Sequence, residues 1–384
     1  MSDITIVVSD PEKHGDGLDA YVSYKVSTNT TRSGFQSNSF YVRRRYQDFL
    51  WLHTRLQELM PHVVVPPLPE KQVMKRLARF DPDFLEKRRL GLQKFLDRVA
   101  THSILSSNTE FQTFLEAATW EMTSAKKRGG GLFASLGDSF KNLAAKMILK
   151  NPDERFVAIA TYFTDLSARL TALDKINTSI SKLKTDYATD VAEFGSVFTL
   201  ISNLETELCN PCVAVAGKME SLSTLLKDLA LQEEENYVMA LQEYLQYAES
   251  VRLLLKRRDA LQLHCELIAE ELEKKRTEKD SVERSDQKRS FGTMMGKDPN
   301  AVKQEKVNKL EQQISELQEA VEKANDENLS ANESILADID RWHITKKEDL
   351  KAIFLAMCDV HIKSYQETIS AWESLLPQLE AIPN

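Results

Sequence analysis

From residue 151 onward the chain contains few prolines and glycines, and its apolar residues recur with helical periodicity. The segment Asn151-Pro152-Asp153-Glu154 is typical of a helix start, because proline fits the first turn and acidic side chains favour the positive end of a helix. A second start at Asn210-Pro211 and a predicted loop at 281–300 divide the region into three helices. We expect these at about 153–208, 211–281 and 301–376. The last two would each be on the order of 100 Å long, so neither could bury its apolar stripe inside a small globule.

Within the third predicted helix, apolar residues alternate at spacings of three and four, which is the seam of coiled-coil-like packing. The seam consists of Val307, Leu310, Ile314, Leu317, Val321 and Ala324, and Ile335, Ile339 and Trp342 extend an apolar face beyond it. Three antiparallel helices that pair with a second copy of the chain can bury stripes of this length. We therefore expect an all-α dimerisation domain over residues 151–384.

The region before residue 122 has a different pattern. Three short runs have the composition of β-strands, and in the second run Val22, Tyr24 and Val26 alternate with polar residues. The runs lie at 4–8, 20–27 and 39–44. Helices are predicted at 48–60, 84–100 and 109–120, and the proline run at 66–69 should be extended. With Asp83 as the N-cap of the second helix, this pattern predicts a three-stranded meander packed with helices, an α+β domain.

The net charge of −8 is unevenly distributed, with +1 on residues 1–125 and −9 on residues 126–384. An acidic second half argues against bulk binding of nucleic acid. There is no run of about 18 apolar residues that could span a membrane, and the first residues lack the pattern of a signal peptide. Four cysteines in so long a chain suggest no disulfide framework, which fits a reducing cytosol.

The strongest candidate for ligand binding is Arg43-Arg44-Arg45-Tyr46-Gln47-Asp48-Phe49, where a predicted strand ends and a helix begins. Guanidinium groups bind phosphate oxygens in pairs of hydrogen bonds, and an adjacent tyrosine ring can support the apolar face of a sugar-like ring. Lys71 follows the proline run, and Arg88 and Arg89 lie on the next predicted helix. These three basic clusters could converge on one anionic ligand. The alternative interpretation is a solvated basic strand end.

Between these clusters, residues 72–79 interleave three cations with Val73, Met74 and Leu77. This mixture suits a loop that dips into the headgroup region of a bilayer, with apolar side chains inserted and cations at the phosphates. The alternative is an ordinary amphipathic turn on the core of its own domain.

A second amphipathic segment at 132–147 follows a basic, glycine-containing break at 123–131. At 100° per residue, six apolar side chains of this segment fall within an arc of about 100°, and Lys141 and Lys146 flank them. Its position favours a helix that inserts into membranes, although a helix docked on the neighbouring domain would show the same pattern. The apolar stripe consists of Leu132, Phe133, Leu136, Phe140, Leu143 and Met147.

Motifs that would indicate catalysis or metal binding are not formed. Cys209-Asn210-Pro211-Cys212 has no second Cys or His pair at zinc-ligand spacing, so we interpret it as a helix junction. Gly129-Gly130-Gly131 does not form a phosphate-binding loop. The histidines are not placed by sequence with a nucleophile and an acid. We predict no enzyme activity, no cofactor and no metal site.

Three motifs, in this order along the chain, resemble those of a Phox-homology (PX) domain: Arg44-Arg45-Tyr46-Gln47-Asp48-Phe49, Val64-Val65-Pro66-Pro67-Leu68-Pro69-Glu70-Lys71 and Phe84-Leu85-Glu86-Lys87-Arg88-Arg89. The helical half resembles the BAR domain of the membrane-remodelling sorting nexins, and the resemblance covers essentially the whole chain. It implies a PX domain over residues 1–122, a basic hinge with an amphipathic helix over 123–150 and a dimeric BAR domain of three long helices over 151–384.

The resemblance also implies that the PX domain recognises phosphatidylinositol 3-phosphate. By motif position, Arg45 would hold the 3-phosphate and Tyr46 would stack on the inositol ring. Lys71 would meet the 1-phosphate, and Arg88 the ring hydroxyls at positions 4 and 5.

The implied function is endosomal sorting by a peripheral membrane protein of early and recycling endosomes, with roles in cargo recycling and autophagy. The partner in the dimer would be a second copy or a related PX-BAR sorting nexin. Basic clusters at 256–258, 274–276 and 288–289 would help the acidic helical half to contact lipid. The alternative function is a soluble coiled-coil scaffold whose PX domain binds protein rather than lipid.

Overall fold

The computed structural model describes residues 3–16, 20–69, 80–118, 149–284 and 299–382. The N-terminal domain contains the strands Ile4–His14 (β1), Tyr21–Thr30 (β2) and Ser39–Arg45 (β3). They form an antiparallel sheet in the order β1-β2-β3, so the predicted meander is confirmed. A register shift between Ser9 and Glu12 marks a β-bulge, where Asp10 has a φ of 51°.

Three helices cover the sheet: Tyr46–Leu59 (α1), Pro82–Thr101 (α2) and Thr109–Glu116 (α3). The prediction that Asp83 caps the second helix was wrong, because the carboxylate of Asp81 accepts the backbone N–H groups of Asp83 and Phe84 at 3.0 and 3.2 Å. Proline fits the first helical position, so the helix begins at Pro82 and its cap is one residue earlier. The core between the sheet and the helices is aromatic, with Tyr24, Phe49, Phe95, Phe111 and Phe114 buried.

The helical domain consists of Glu154–Ser202 (α4), Cys209–Glu233 (α5), Met239–Arg284 (α6), Pro299–Glu373 (α7) and a short Leu376–Glu380 (α8). A π-helical turn, Glu234–Val238, joins α5 to α6, so the second predicted helix is continuous but locally widened. Asp153 caps α4 by accepting the backbone N–H of Arg155 at 3.0 Å. Among the described residues no helix is both long and apolar enough to cross a bilayer.

The predicted seam of α7 is buried at Val307, Leu310 and Ala324, and the face that follows it is buried at Ile335, Ile339 and Trp342. The helices α4 and α5 pack closely at Gly195. A Cβ atom at this position would lie 2.9 Å from the Cβ of Met219 and 3.0 Å from the carbonyl oxygen of Ala216. The absence of a side chain at residue 195 therefore allows this close packing.

The basic cluster at 256–258 does not form a lipid-facing surface, contrary to the expectation from sequence. Arg258 is 2% exposed, donates from Nε to Oδ1 of Asn332 at 2.8 Å and lies 4.1 Å from the ring centroid of Phe156. Arg257 donates to the carbonyl oxygen of Gln57 at 3.3 Å. This part of α6 lies between α4, α7 and the N-terminal domain, so two of the three cations serve internal contacts. The cluster at 288–289 lies outside the described residues.

Candidate ligand-binding site

The end of β3 carries three consecutive arginines in three different environments. Successive side chains of a strand point to opposite faces, and Arg44 points into the domain with 1% of its surface exposed. Its guanidinium donates to the carbonyl oxygen of Phe114 at 2.7 and 2.9 Å and to that of Ala117 at 2.6 Å. Burial lowers the pKa of Arg44 to about 10. Arg44 therefore joins β3 to the end of α3 and is not available to a ligand.

Arg43 is also occupied by partners within the domain. Its guanidinium donates to Oδ2 of Asp10 and to Oγ of Ser23 at 2.8 and 2.9 Å, and it pairs with Glu12 at 2.8 Å. Through the hydrogen bond and the charge of Arg43, the pKa of Asp10 is lowered. These contacts connect β3 to the bulge of β1, so the role of Arg43 is structural.

Arg45 is the most exposed of the three, with 41% of its side chain accessible. It is the N-cap residue of α1, and its backbone N–H donates to Oδ2 of Asp48 at 2.8 Å while Nε lies 3.4 Å from Oδ1. The guanidinium lies 5.8 Å from the ring centroid of Tyr21. Burial raises the pKa of Asp48, and the hydrogen bond and charge of Arg45 oppose this effect. The start of α1 thus orients Arg45 and leaves part of its side chain open.

The guanidinium of Arg88 lies between two aromatic rings, 4.6 Å from the centroid of Tyr46 and 4.3 Å from that of Phe84. Phe84 and Arg88 are four residues apart on α2 and therefore share a face. Burial lowers the pKa of Arg88, while Tyr24 and Tyr46 act in the opposite direction. The hydroxyl of Tyr46 in turn donates to the carbonyl oxygen of Pro69 at 2.8 Å.

The proline run can lie close to α2 because residue 91 of that helix is glycine. A Cβ atom on Gly91 would lie 2.9 Å from the Cβ of Pro69. Three elements, the β3–α1 junction, the proline run and α2, therefore meet around the ring of Tyr46.

Of the four residues predicted to bind the headgroup, Arg88 lies against the ring of Tyr46, Arg45 precedes Tyr46 at the start of α1, and Lys71 lies outside the described residues. The expectation that all three basic clusters converge on one anionic ligand was wrong for Arg43 and Arg44. It was also wrong for Arg89, which pairs with Glu86 and donates to the carbonyl oxygen of Val8 at 2.8 Å. The predicted membrane-inserting residues also lie outside the described residues: Val73, Met74, Leu77, Leu132, Phe133, Leu136, Phe140, Leu143 and Met147.

The contacts of Tyr21, Asp48 and Phe84 at this site were not predicted from the sequence. The spacing of four residues between Phe84 and Arg88 was a usable signal, since such pairs share a helix face. The contact of Tyr21 with Arg45 had no local signal, because it depends on the pairing of β2 with β3.

Known families match both parts of the chain. Residues 32–118 match the PX domain, and residues 130–378 match the family described as "Vps5 C terminal like". Sorting nexin-30 of Xenopus tropicalis is 34% identical over 379 residues, which are 98% of this chain and 77% of that protein. The chain belongs to the PX-BAR class of sorting nexins.

Other sorting nexins give the same result. Human sorting nexin-7 is 32% identical, with 98% of this chain and 89% of that protein covered. Sorting nexin-4 of Neurospora crassa is 30% identical, with 97% and 84% covered. A cryo-EM structure of the SNX-BAR Mvp1 tetramer matches with a TM-score of 0.72 at 18% identity, covering 97% of this chain and 99% of that one. The predicted family and the predicted fold class, a PX domain followed by a helical BAR domain, are both confirmed.

The two adjacent arginines allow a matched test of stability. We expect Arg44→Ala to destabilise the PX domain by about 3 kcal/mol, because it removes a buried guanidinium that donates to the carbonyl oxygens of Phe114 and Ala117. Arg45→Ala should cost about 1 kcal/mol or less, since it removes a partly exposed ion pair. Thermal unfolding of the two variants is the measurement. Equal losses of stability would show that Arg44 is not the structural arginine of the pair.

Proposed function

We propose that this sorting nexin binds phosphatidylinositol 3-phosphate through Arg45, Tyr46, Lys71 and Arg88 and acts without catalysis as an adaptor on endosomal membranes. It would work as a dimer on the cytosolic face of early and recycling endosomes, where it supports cargo recycling and autophagy. The domain limits that accompany this proposal are 1–122, 123–150 and 151–384.

The observation that carries the headgroup proposal is the different use of the three arginines at the end of β3. Arg43 and Arg44 are occupied by internal partners, whereas Arg45 keeps 41% of its side chain exposed beside Tyr46. An oriented guanidinium can bind a phosphate through two hydrogen bonds, which are stronger than bonds between neutral groups. Arg88, which is charged and held against the same aromatic ring, would supply further donors to the hydroxyls of the inositol.

Membrane contact beyond the headgroup would come from two segments outside the described residues. These are the segment 72–79, which contains Val73, Met74 and Leu77, and the segment 132–147. Each contact is expected to be modest, and tethering several of them in one dimer multiplies their affinity.

Dimerisation is supported by apolar side chains that the single chain leaves exposed on α4 and α7. Near its C-terminal end α7 exposes side chains at the alternating spacings of a packing seam, and the middle of α4 exposes a second such group. On α7 they are Leu355, Ile362, Tyr365, Ile369 and Trp372, and on α4 they are Ile176, Ile180, Leu183 and Tyr187. A second PX-BAR chain with complementary stripes is the partner that this pattern fits.

The headgroup proposal predicts that Arg45→Ala weakens binding to vesicles containing phosphatidylinositol 3-phosphate by at least roughly tenfold, since a charge-assisted pair of hydrogen bonds is lost. Arg43→Ala is the matched control, because it removes the same charge from the same strand and should have a small effect. Flotation with and without the 3-phosphate lipid is the measurement. Equal losses in both variants would indicate a nonspecific charge effect. If the wild-type chain binds vesicles equally well with and without the 3-phosphate lipid, the result would favour the alternative function, a scaffold whose PX domain binds protein.

The dimer proposal predicts that Ile362→Glu combined with Ile369→Glu gives a monomer in light scattering at micromolar concentration. Two carboxylates in a desolvated apolar seam would cost more free energy than the contacts supply. Gln318→Glu combined with Asn325→Glu is the matched control on the same helix, with the same spacing, the same change of charge and exposed positions. A dimer that survives the first pair of substitutions would exclude this seam.

A further inference from the structure

The PX domain and the helical domain are joined by a buried polar contact centred on Asp338 of α7, which is 3% exposed. Its Oδ2 accepts the backbone N–H of Val64 at 2.6 Å, and its Oδ1 lies 3.0 Å from Nε2 of His102. Arg341, one turn further along α7, pairs with the same carboxylate. The side chain of Val64 is itself buried in the apolar cluster of the helical domain. A carboxylate buried to this degree is tolerated because three donors surround it.

Nδ1 of His102 accepts the backbone N–H groups of Ile104 and Leu105 at 3.2 and 3.3 Å. With Nδ1 as acceptor, the neutral ring has its proton on Nε2, which lies 3.0 Å from Oδ1 of Asp338 and 3.1 Å from Nη1 of Arg341. His102 thus links the end of α2 to α7 in a single orientation.

A second polar contact joins the same two domains. Nε of Arg98 on α2 donates to Glu243 at 2.9 Å, and its Nη2 pairs with Asp349, which also accepts the hydroxyl of Tyr244. Burial alone would lower the pKa of Arg98, but the hydrogen bonds and charge of its acidic partners outweigh burial and raise it. Arg98 is 14% exposed and Glu243 11%, so the pair is little screened by solvent.

Both contacts hold elements that also carry the headgroup residues. Val64 lies two residues before the proline run, and the carbonyl oxygen of Pro69 in that run accepts the hydroxyl of Tyr46. Arg98 lies on the same helix as Arg88, ten residues and about 15 Å further along. The α7 and α6 residues on the other side of the contacts belong to the long helices of the BAR domain.

We infer that Asp338 is a positioning residue that fixes the headgroup site relative to the long helices, so that both reach the same bilayer at once. This inference rests on the proposed function. Two linked membrane contacts gain affinity from each other when their geometry allows simultaneous binding, and they lose this gain when it does not. Asp338 and its donors hold the PX domain in one position relative to the long helices. The pair of Arg98 with Glu243 stabilises the same position.

The test compares Asp338→Ala with Glu234→Ala in the full chain. Each variant loses one carboxylate that contacts the PX domain, but Glu234 pairs at 3.1 Å with Lys87, whose side chain is 48% exposed. Exposed pairs contribute little, so Glu234→Ala should behave as wild type. For Asp338→Ala we expect binding to vesicles containing phosphatidylinositol 3-phosphate to weaken by roughly tenfold. Its affinity for soluble inositol 1,3-bisphosphate, measured by calorimetry, should stay unchanged, because the headgroup site is intact.

Hydrogen exchange of the unbound chains reports the contact itself. The amide of Val64 should exchange faster in Asp338→Ala and at the wild-type rate in Glu234→Ala. His102→Ala, which removes a donor from the other side, should act in the same direction and serves if Asp338→Ala does not fold. Vesicle binding of Asp338→Ala at wild-type strength would overturn the inference, as would equal losses for vesicles and soluble headgroup. A wild-type chain without preference for the 3-phosphate lipid would overturn the proposed function, and the exchange of Val64 would still decide whether Asp338 holds the domains together.

Discussion

The length of the helices is the constraint on which the rest of the structure depends. The helix α7 has 75 residues and would extend over about 110 Å, so the PX domain can cover only part of its length. Its first half buries Val307 and Leu310, whereas residues such as Ile362 and Ile369 in its last part remain exposed. One chain therefore covers only part of its own apolar surface. The long helices also provide a rigid base to which the PX domain can be attached.

Only some of the arginine side chains remain exposed and available to an anionic ligand. In the PX domain, Arg43 and Arg44 stabilise the sheet and α3, while Arg45 stays partly exposed. In the helical domain, Arg257 and Arg258 serve contacts with the PX domain and with α7. A count of basic residues therefore overestimates the surface available to an anionic membrane. Buried guanidinium groups act here as connectors, because one such group can satisfy several carbonyl or carboxylate oxygens.

Local rules predicted the meander, the helix starts at 151–154 and 210–211 and the seam of α7, because each depends on neighbouring residues. They could not predict which arginine is buried, since the partners of Arg44 are carbonyl groups about 70 residues away. The junction of the domains was missed for the same reason. Nothing in the residue spacing of the third predicted helix indicated that Asp338 would accept the N–H of Val64.

The proposed function and the contact of Asp338 together require the headgroup site and the long helices to bind a membrane as one unit. Hydrogen exchange of the full chain on vesicles with phosphatidylinositol 3-phosphate, compared with the unbound chain, tests this requirement. We expect slower exchange at residues 43–49 and 84–91 on binding, and equally slow exchange at residues 62–66 in both states. Faster exchange at 62–66 on the membrane would show that the domains separate when they bind. Unchanged exchange at 43–49 would contradict the assignment of the headgroup site.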